Sequence, residues 1–207
     1  MEQTIRVLFE DADVLCCLKP EGILSQSAPG GEATLLTLLE AQTGGTVYPV
    51  HRLDRQTGGV MVFAKTKQAA ASLSVQAANR TLEKRYCALV HGKVEPEEGE
   101  LEDWLFKDAR TNKVFVVKRE RKGVRKAKLH YAVEDFNGSI SRVAVLLDTG
   151  RTHQIRVQFA SRRHPLVGDR RYGAKDDSDR LCLWSRSVAF THPATGERMQ
   201  FAEKEPF

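Results

Sequence analysis

The sequence lacks most of the signatures by which enzymes hold cofactors. It has no GxxxxGKS/T phosphate loop, no GxGxxG dinucleotide fingerprint, no HExxH zinc helix and no GxSxG nucleophile turn. Six histidines, at 51, 91, 130, 153, 164 and 192, show no zinc-like spacing with cysteine. Nucleotide hydrolysis, dinucleotide redox chemistry and zinc catalysis thereby lose their usual footholds. The chain reads as one that needs no metal and no cofactor. The four cysteines, Cys16, Cys17, Cys87 and Cys182, include no CxxC pair, and two are adjacent. Reduced, buried thiols in a cytoplasmic protein are the plain reading. No apolar run approaches the roughly 18–20 residues of a membrane span. Met1–Asp13 carries acids where a secretion signal would carry positive charge.

What is present is enough for a core: 207 residues, 41% hydrophobic and 29% charged, the size of one ordinary domain or a two-lobed one. The formal net charge of +5 is unevenly spread. Lys107–Lys128 holds ten Lys/Arg against Asp108 and Glu120, and Arg151–Lys175 holds seven against Asp169 alone. The remainder is acidic. Two basic segments on an otherwise acidic chain suggest a localised anion-binding face, for which a phosphate backbone is the commonest partner and a solvated surface the plain alternative.

Alternation and turn residues predict strands at Ile5–Phe9, Val14–Leu18, Val60–Ala64, Arg85–Val90, Val114–Lys118, Lys128–Val133 and Arg142–Leu147, with late strands at Leu181–Trp184 and Val188–Phe190. Leucine spacing predicts a helix over Ala33–Gln42 stopped by Gly44-Gly45, and alanine spacing another over Lys67–Arg80. A short helix capped by Thr152 is expected over Thr152–Ser161. Glu95–Asp103, acidic and containing Pro96 and Gly99, reads as a loop, and Lys118–Lys128 as a hairpin or loop turning near Gly123. Strands that outnumber helices without alternating with them point to an α+β fold whose central sheet is largely antiparallel or mixed.

Three segments carry chemistry. In Val50–Gly59, Asp54 sits among Arg52 and Arg55 and just before Gly58-Gly59. Flanking cations keep a carboxylate ionised, fit to act as nucleophile or base. A surface salt bridge beside a turn fits the same residues. Thr149–Arg156, followed by His164–Asp169, offers backbone N–H groups and two arginines to an anion or a buried carboxylate, or is a capped helix with solvated arginines. Glu83–Gly92 brings Tyr86 into a strand, where it is able to stack on a nucleobase or simply to pack.

Together these segments resemble the RluA family of RNA pseudouridine synthases. The family's His-Arg-Leu-Asp-x-x-Thr-Ser-Gly loop stands here as His51–Gly59, with Gly58 at the serine position. Lys19–Gly22 matches its Lys-Pro-x-Gly turn, Lys84–Tyr86 its Lys-x-Tyr strand, and Gly150–Arg156 with His164–Asp169 its Gly-Arg-Thr-His-Gln-Ile-Arg and His-Pro-x-x-Gly-Asp segments. The resemblance implies a single pseudouridine synthase catalytic domain over 1–207, helices and loops flanking the sheet, with no S4-like domain. It implies isomerisation of uridine in ribosomal or transfer RNA: the base is detached from the ribose, turned and reattached through carbon. It makes Asp54 the catalytic aspartate, Arg156 its partner, Tyr86 and Ile155 the two walls around the base, and Arg52 the residue that helps extrude it. Base flipping costs a few kcal/mol. Arg119, Arg121, Lys122, Lys126, Arg151 and Arg170 would hold phosphates. RNA is the expected partner of a monomer. The competing reading is an RNA-binding protein on the same fold that has lost catalysis, which predicts damage at Asp54, Tyr86 or Arg156; all three are present.

Overall fold

The computed structural model describes residues 4–26 and 31–207. In chain order these form strands β1 (Val7–Glu10) and β2 (Val14–Lys19), helix α1 (Leu35–Thr43), strands β3 (Tyr48–Pro49) and β4 (Gly58–Ala64), and helix α2 (Lys67–Ala78). Strands β5 (Glu83–His91), β6 (Glu98–Asp108), β7 (Lys113–Val117), β8 (Val124–Phe136) and β9 (Ile140–Leu147) follow. Helix α3 (Gln154–Ser161), a 3-10 turn (Arg170–Tyr172), β10 (Leu183–Thr191) and β11 (Arg198–Ala202) complete the chain. Two compact units emerge: Met1–Lys84 with Trp184–Phe207, and Arg85–Leu183.

The first unit is built on β4, every residue of which is buried. It pairs antiparallel with β2 and β3 and parallel with β10, while β1 extends β2 and β11 extends β10. The sheet is therefore mixed, as strand-rich α+β patterning led one to expect. Val60, Val62 and Ala64 point to one face, where they pack with Val14, Cys16, Val188 and Phe190 against Ala69 and Leu73 of α2. Both helices of this unit start at a threonine. Thr34 and Thr37 cap α1 reciprocally, and the Thr66 hydroxyl accepts the Ala69 N–H at the start of α2. All four cysteines are buried free thiols. Burial pushes the Cys17 thiol up to about 12 and Cys16 higher still, so neither is a nucleophile at neutral pH.

The second unit is an antiparallel sheet in the order β5-β9-β8-β6-β7. Leu105, Val114 and Ala127 pack against Val157 of α3 on one face. Glu95–Asp103 departs from expectation here, because Glu98–Asp108 is a strand. Its acids alternate: Glu100 and Glu102 stand across from His130 and Lys128 of β8, and Leu101 and Leu105 turn to the other face and are buried. A loop was expected because Pro96 and Gly99 masked that period of two.

Two smaller expectations also change, and the loop alternative for residues 118–128 holds as far as Gly123. Residue 153, not Thr152, caps α3: His153 lies in the left-handed region at φ 51° and makes no capping bond with its side chain. Gln154 anchors the helix start instead, its Oε1 accepting the Arg151 N–H at 3.0 Å and its Nε2 donating to the Lys128 carbonyl at 3.0 Å. The late segments merge into one strand, β10, and β11 was not foreseen. Residues 118–123 form a loop that carries the chain from edge strand β7 past β6 to β8, since β7 and β8 both pair with β6.

Leu73 has no exposed surface, whereas Val75 on the same helix is 58% exposed. Leu73→Ala should cost about 2–5 kcal/mol in denaturant unfolding, for lost burial and the cavity left behind. Val75→Ala should change stability by less than about 0.5 kcal/mol.

Candidate active site and nucleic-acid interface

The Asp54 turn joins β3 to β4 and is gripped from below by Lys19, the last residue of β2. Lys19 has no exposed surface, and its ammonium donates to the carbonyls of Pro20 (3.0 Å), Arg55 (3.1 Å) and Thr57 (2.9 Å). Those three bonds use all of its protons. Burial lowers the Lys19 pKa to about 8, against the opposing pull of the Asp54 and Glu21 carboxylates. The Thr57 N–H donates to the Asp54 carbonyl at 3.1 Å and closes the turn. On the near side, the Ser25 hydroxyl accepts the Leu53 N–H (3.0 Å) and donates to the Leu53 carbonyl (2.9 Å). The backbone on both sides of Asp54 is thus fixed, and Asp54 itself is half-buried. Arg55 turns to Glu32, while Arg52 is exposed.

Gly58 follows the turn, and its surroundings account for the missing serine. A Cβ at this position would lie 2.4 Å from Cζ3 of Trp184 and 3.0 Å from its Cε3. The indole is held by its Nε1–H donating to the Glu203 carbonyl at 3.2 Å. Trp184 therefore occupies the volume a side chain at residue 58 would take, and it supports the turn from there. His51, at the loop's start, accepts the Val62 N–H at Nε2 (3.2 Å), which places its proton on Nδ1, an atom shut off from solvent and without a partner among the described residues. Burial, with the Lys84 ammonium adding to it, drives the imidazole down to about 3 and keeps it neutral.

The second unit holds Tyr86, Ile155 and Arg156, all buried. Tyr86 stands on β5 across from Val145 of β9. Arg156 projects from α3 and forms a two-pronged ion pair with Asp169, Nε to Oδ2 at 2.7 Å and Nη2 to Oδ1 at 2.8 Å, with both side chains at most 4% exposed. Asp169 follows Gly168, whose φ of +76° and a would-be Cβ contact of 1.7 Å with the Arg180 carbonyl admit only glycine. The Arg156 guanidinium also lies over the Tyr172 ring, 5.2 Å from its centre. The Tyr172 hydroxyl accepts the Val114 N–H of β7 (3.0 Å) and bonds His153 Nδ1 (2.8 Å).

Sequence reasoning gave no role to Lys19, Trp184, Asp169 or Tyr172. Lys19 and Asp169 were within reach, because each sits in a quoted motif. Nothing in the sequence pairs residue 58 with residue 184.

Of the basic candidates, Arg119 and Lys122 are exposed on the 118–123 loop, and Arg121 lies over the Phe106 ring at 5.2 Å. Lys126 pairs with Glu102 at 2.7 Å, and Arg151 Nε donates to the Lys126 carbonyl at 3.0 Å. Arg170 is exposed on the 3-10 turn. All six lie in the second unit. Among the described residues no cluster of His, Cys, Asp and Glu is fit to hold a metal ion, and no helix is long and apolar enough to cross a membrane.

Residues 13–161 match the family described as RNA pseudouridylate synthase. The chain is 34% identical, over 97% of its length and 69% of the relative, to the uncharacterized RNA pseudouridine synthase YlyB of Bacillus subtilis. It is 32% identical, over 94% of its length and 65% of the relative, to the ribosomal large subunit pseudouridine synthase C of Buchnera aphidicola. In fold it is similar to human RNA pseudouridylate synthase domain containing 1, with a TM-score of 0.82 at 23% identity, covering 100% of this chain and 86% of that one.

Two stability measurements check this geometry. Gly58→Ser should lower the melting temperature, because the indole must move, and Trp184→Val in the same chain should recover most of the loss. Additive effects of the two changes would contradict the contact. For His51, the folded state refuses a proton that the unfolded chain takes up below its ordinary value of 6.5. Its stabilising contribution is complete above pH 6.5 and is lost as pH falls toward 3. Denaturant unfolding across that window should therefore show wild type losing stability relative to His51→Gln.

Proposed function

This chain belongs to the RluA-type family of RNA pseudouridine synthases, isomerases that convert uridine in RNA to pseudouridine, and from that premise we propose that Asp54 is the carboxylate that carries the reaction. The observation that carries this reading is the turn itself. A half-buried aspartate sits on backbone locked by Lys19 at residues 55 and 57 and by Ser25 at residue 53. A group that must meet a ribose within a few tenths of an ångström gains most from such prior ordering. In the isomerisation the bond between C1′ and N1 of uracil breaks and one between C1′ and C5 forms. The proton on C5 leaves and N1 gains one, so the change is balanced without an oxidant or co-reactant. An ionised carboxylate serves it either by attacking C1′ or by removing a ribose proton.

The same proposal gives Tyr86 and Ile155 the contacts with the uracil, Arg156 the support of the acidic centre and Arg52 the extrusion of the nucleotide from its stack. Arg119, Arg121, Lys122, Lys126, Arg151 and Arg170 hold phosphates. The substrate is a structured cellular RNA, ribosomal or transfer. The Buchnera relative is a ribosomal large subunit pseudouridine synthase by name, which favours ribosomal RNA. No metal takes part.

Asp54→Asn should reduce tritium release from [5-³H]uridine-labelled RNA to background while RNA affinity stays within about two-fold, because asparagine keeps the shape and loses the charge. Turnover by the verified variant at even a tenth of the wild-type rate would remove Asp54 from the mechanism.

A further inference from the structure

The sheet face opposite α3 in the second unit has a composition that the core does not require. Leu105, Val114 and Ala127 point inward and close the core with Val157. Their neighbours point the other way. Trp104 stands across from Val117 on one side and Lys126 on the other, and Phe106 stands across from Phe115 and Val124. Three aromatic rings therefore occupy adjacent positions on the outward face of β6 and β7. Phe115 is 43% exposed, more than any other phenylalanine among the described residues. Cations lie over the rings: Arg121 over Phe106 at 5.2 Å, and Lys113 at 5.7 Å from Phe115 and 5.6 Å from Tyr172 at the sheet's free edge. Arg119 and Lys122 extend the positive charge along the adjoining loop.

Neighbouring rings, two of them under cations, match the chemistry of an unpaired nucleic-acid strand, whose bases stack while its phosphates are neutralised. A duplex offers phosphates but hides its base faces, so it satisfies the cations alone. An acidic protein would answer the charge but would have no need for the ring faces. We propose that the outward face of β6–β8, with Phe115, Phe106 and Trp104 as its stacking surface, binds an unpaired stretch of the RNA substrate. The inference rests on the reading that the enzyme acts on RNA, and adds that a single-stranded segment of that RNA is held here.

Binding of fluorescein-labelled twelve-nucleotide oligouridine and of an RNA duplex of equal length, followed by anisotropy at fixed salt, tests this directly. Phe115→Ala should weaken oligouridine binding about five-fold or more, the lower end of what loss of one stacked base costs, and leave duplex binding unchanged. Phe115→Trp should restore it and Phe115→Leu should not, which separates stacking from plain apolar packing. Melting temperatures of all three variants show whether the sheet is intact. Arg119→Ala with Lys122→Ala should weaken both RNAs alike and flatten the salt dependence. Equal loss for both RNAs in Phe115→Ala, or full function in Phe115→Leu, overturns the proposal. So does wild-type self-association that Phe115→Ala abolishes while RNA binding stays intact, because the face would then serve a second copy of the chain. A wild type that binds oligouridine through Phe115 but isomerises no RNA would refute the catalytic reading and leave this surface standing.

Discussion

A buried ammonium is the constraint on which the candidate catalytic turn depends. Removing a lysine from water is costly unless each of its protons finds an acceptor, and Lys19 finds three, all backbone carbonyls. Two belong to the turn that holds Asp54 and the third to its own neighbour. Carbonyls cannot ionise or be lost by mutation, so the arrangement holds whatever side chains occupy residues 55 and 57. At neutral pH it also places a positive charge beneath the aspartate, one that is lost as pH rises past about 8. The strand β2, otherwise an apolar element in the core, thereby becomes the support of a polar loop.

Two kinds of ion pair organise the second unit. Arg156 and Asp169 are sealed together on the face of α3, at a cost in desolvation that only a matched two-pronged geometry offsets. At the sheet surface, Lys126 and Lys128 pair with Glu102 and Glu100 across β8 and β6 and stay open to water. The first kind fixes a side chain in one orientation. The second leaves its cations free to exchange a carboxylate for another anion.

Much of the fold was legible because it follows periodicity. The apolar run of β4, the leucines of α1 with their glycine stop and the alanines of α2 each impose a local structure that the tertiary context does not contest. The strand β6 was not legible. Its charged face pairs with basic residues some thirty positions later, a compensation that appears only once β8 is laid beside it. The helix start at His153 escaped for a related reason: the groups that fix it belong to Gln154 and to the Lys128 carbonyl, not to the residue before the helix. In the site, the aspartate turn stood out as a motif. Its support did not, because the link between Lys19 and the 54–57 turn, like that between residues 58 and 184, is made by folding and leaves no mark at short range.

The contact between Gly58 and Trp184 also bears on how such a sequence can change over time. A side chain at residue 58 and an indole at residue 184 exclude each other, since the Cβ alone would fall 2.4 Å from the ring. A lineage carrying serine at the first position cannot acquire the tryptophan directly. Glycine must come first, opening a gap beside the turn that the larger ring then fills. The reverse path is barred in the same way until the tryptophan is gone. The order is therefore set in both directions: glycine precedes the tryptophan, and the tryptophan must leave before residue 58 can regain a side chain.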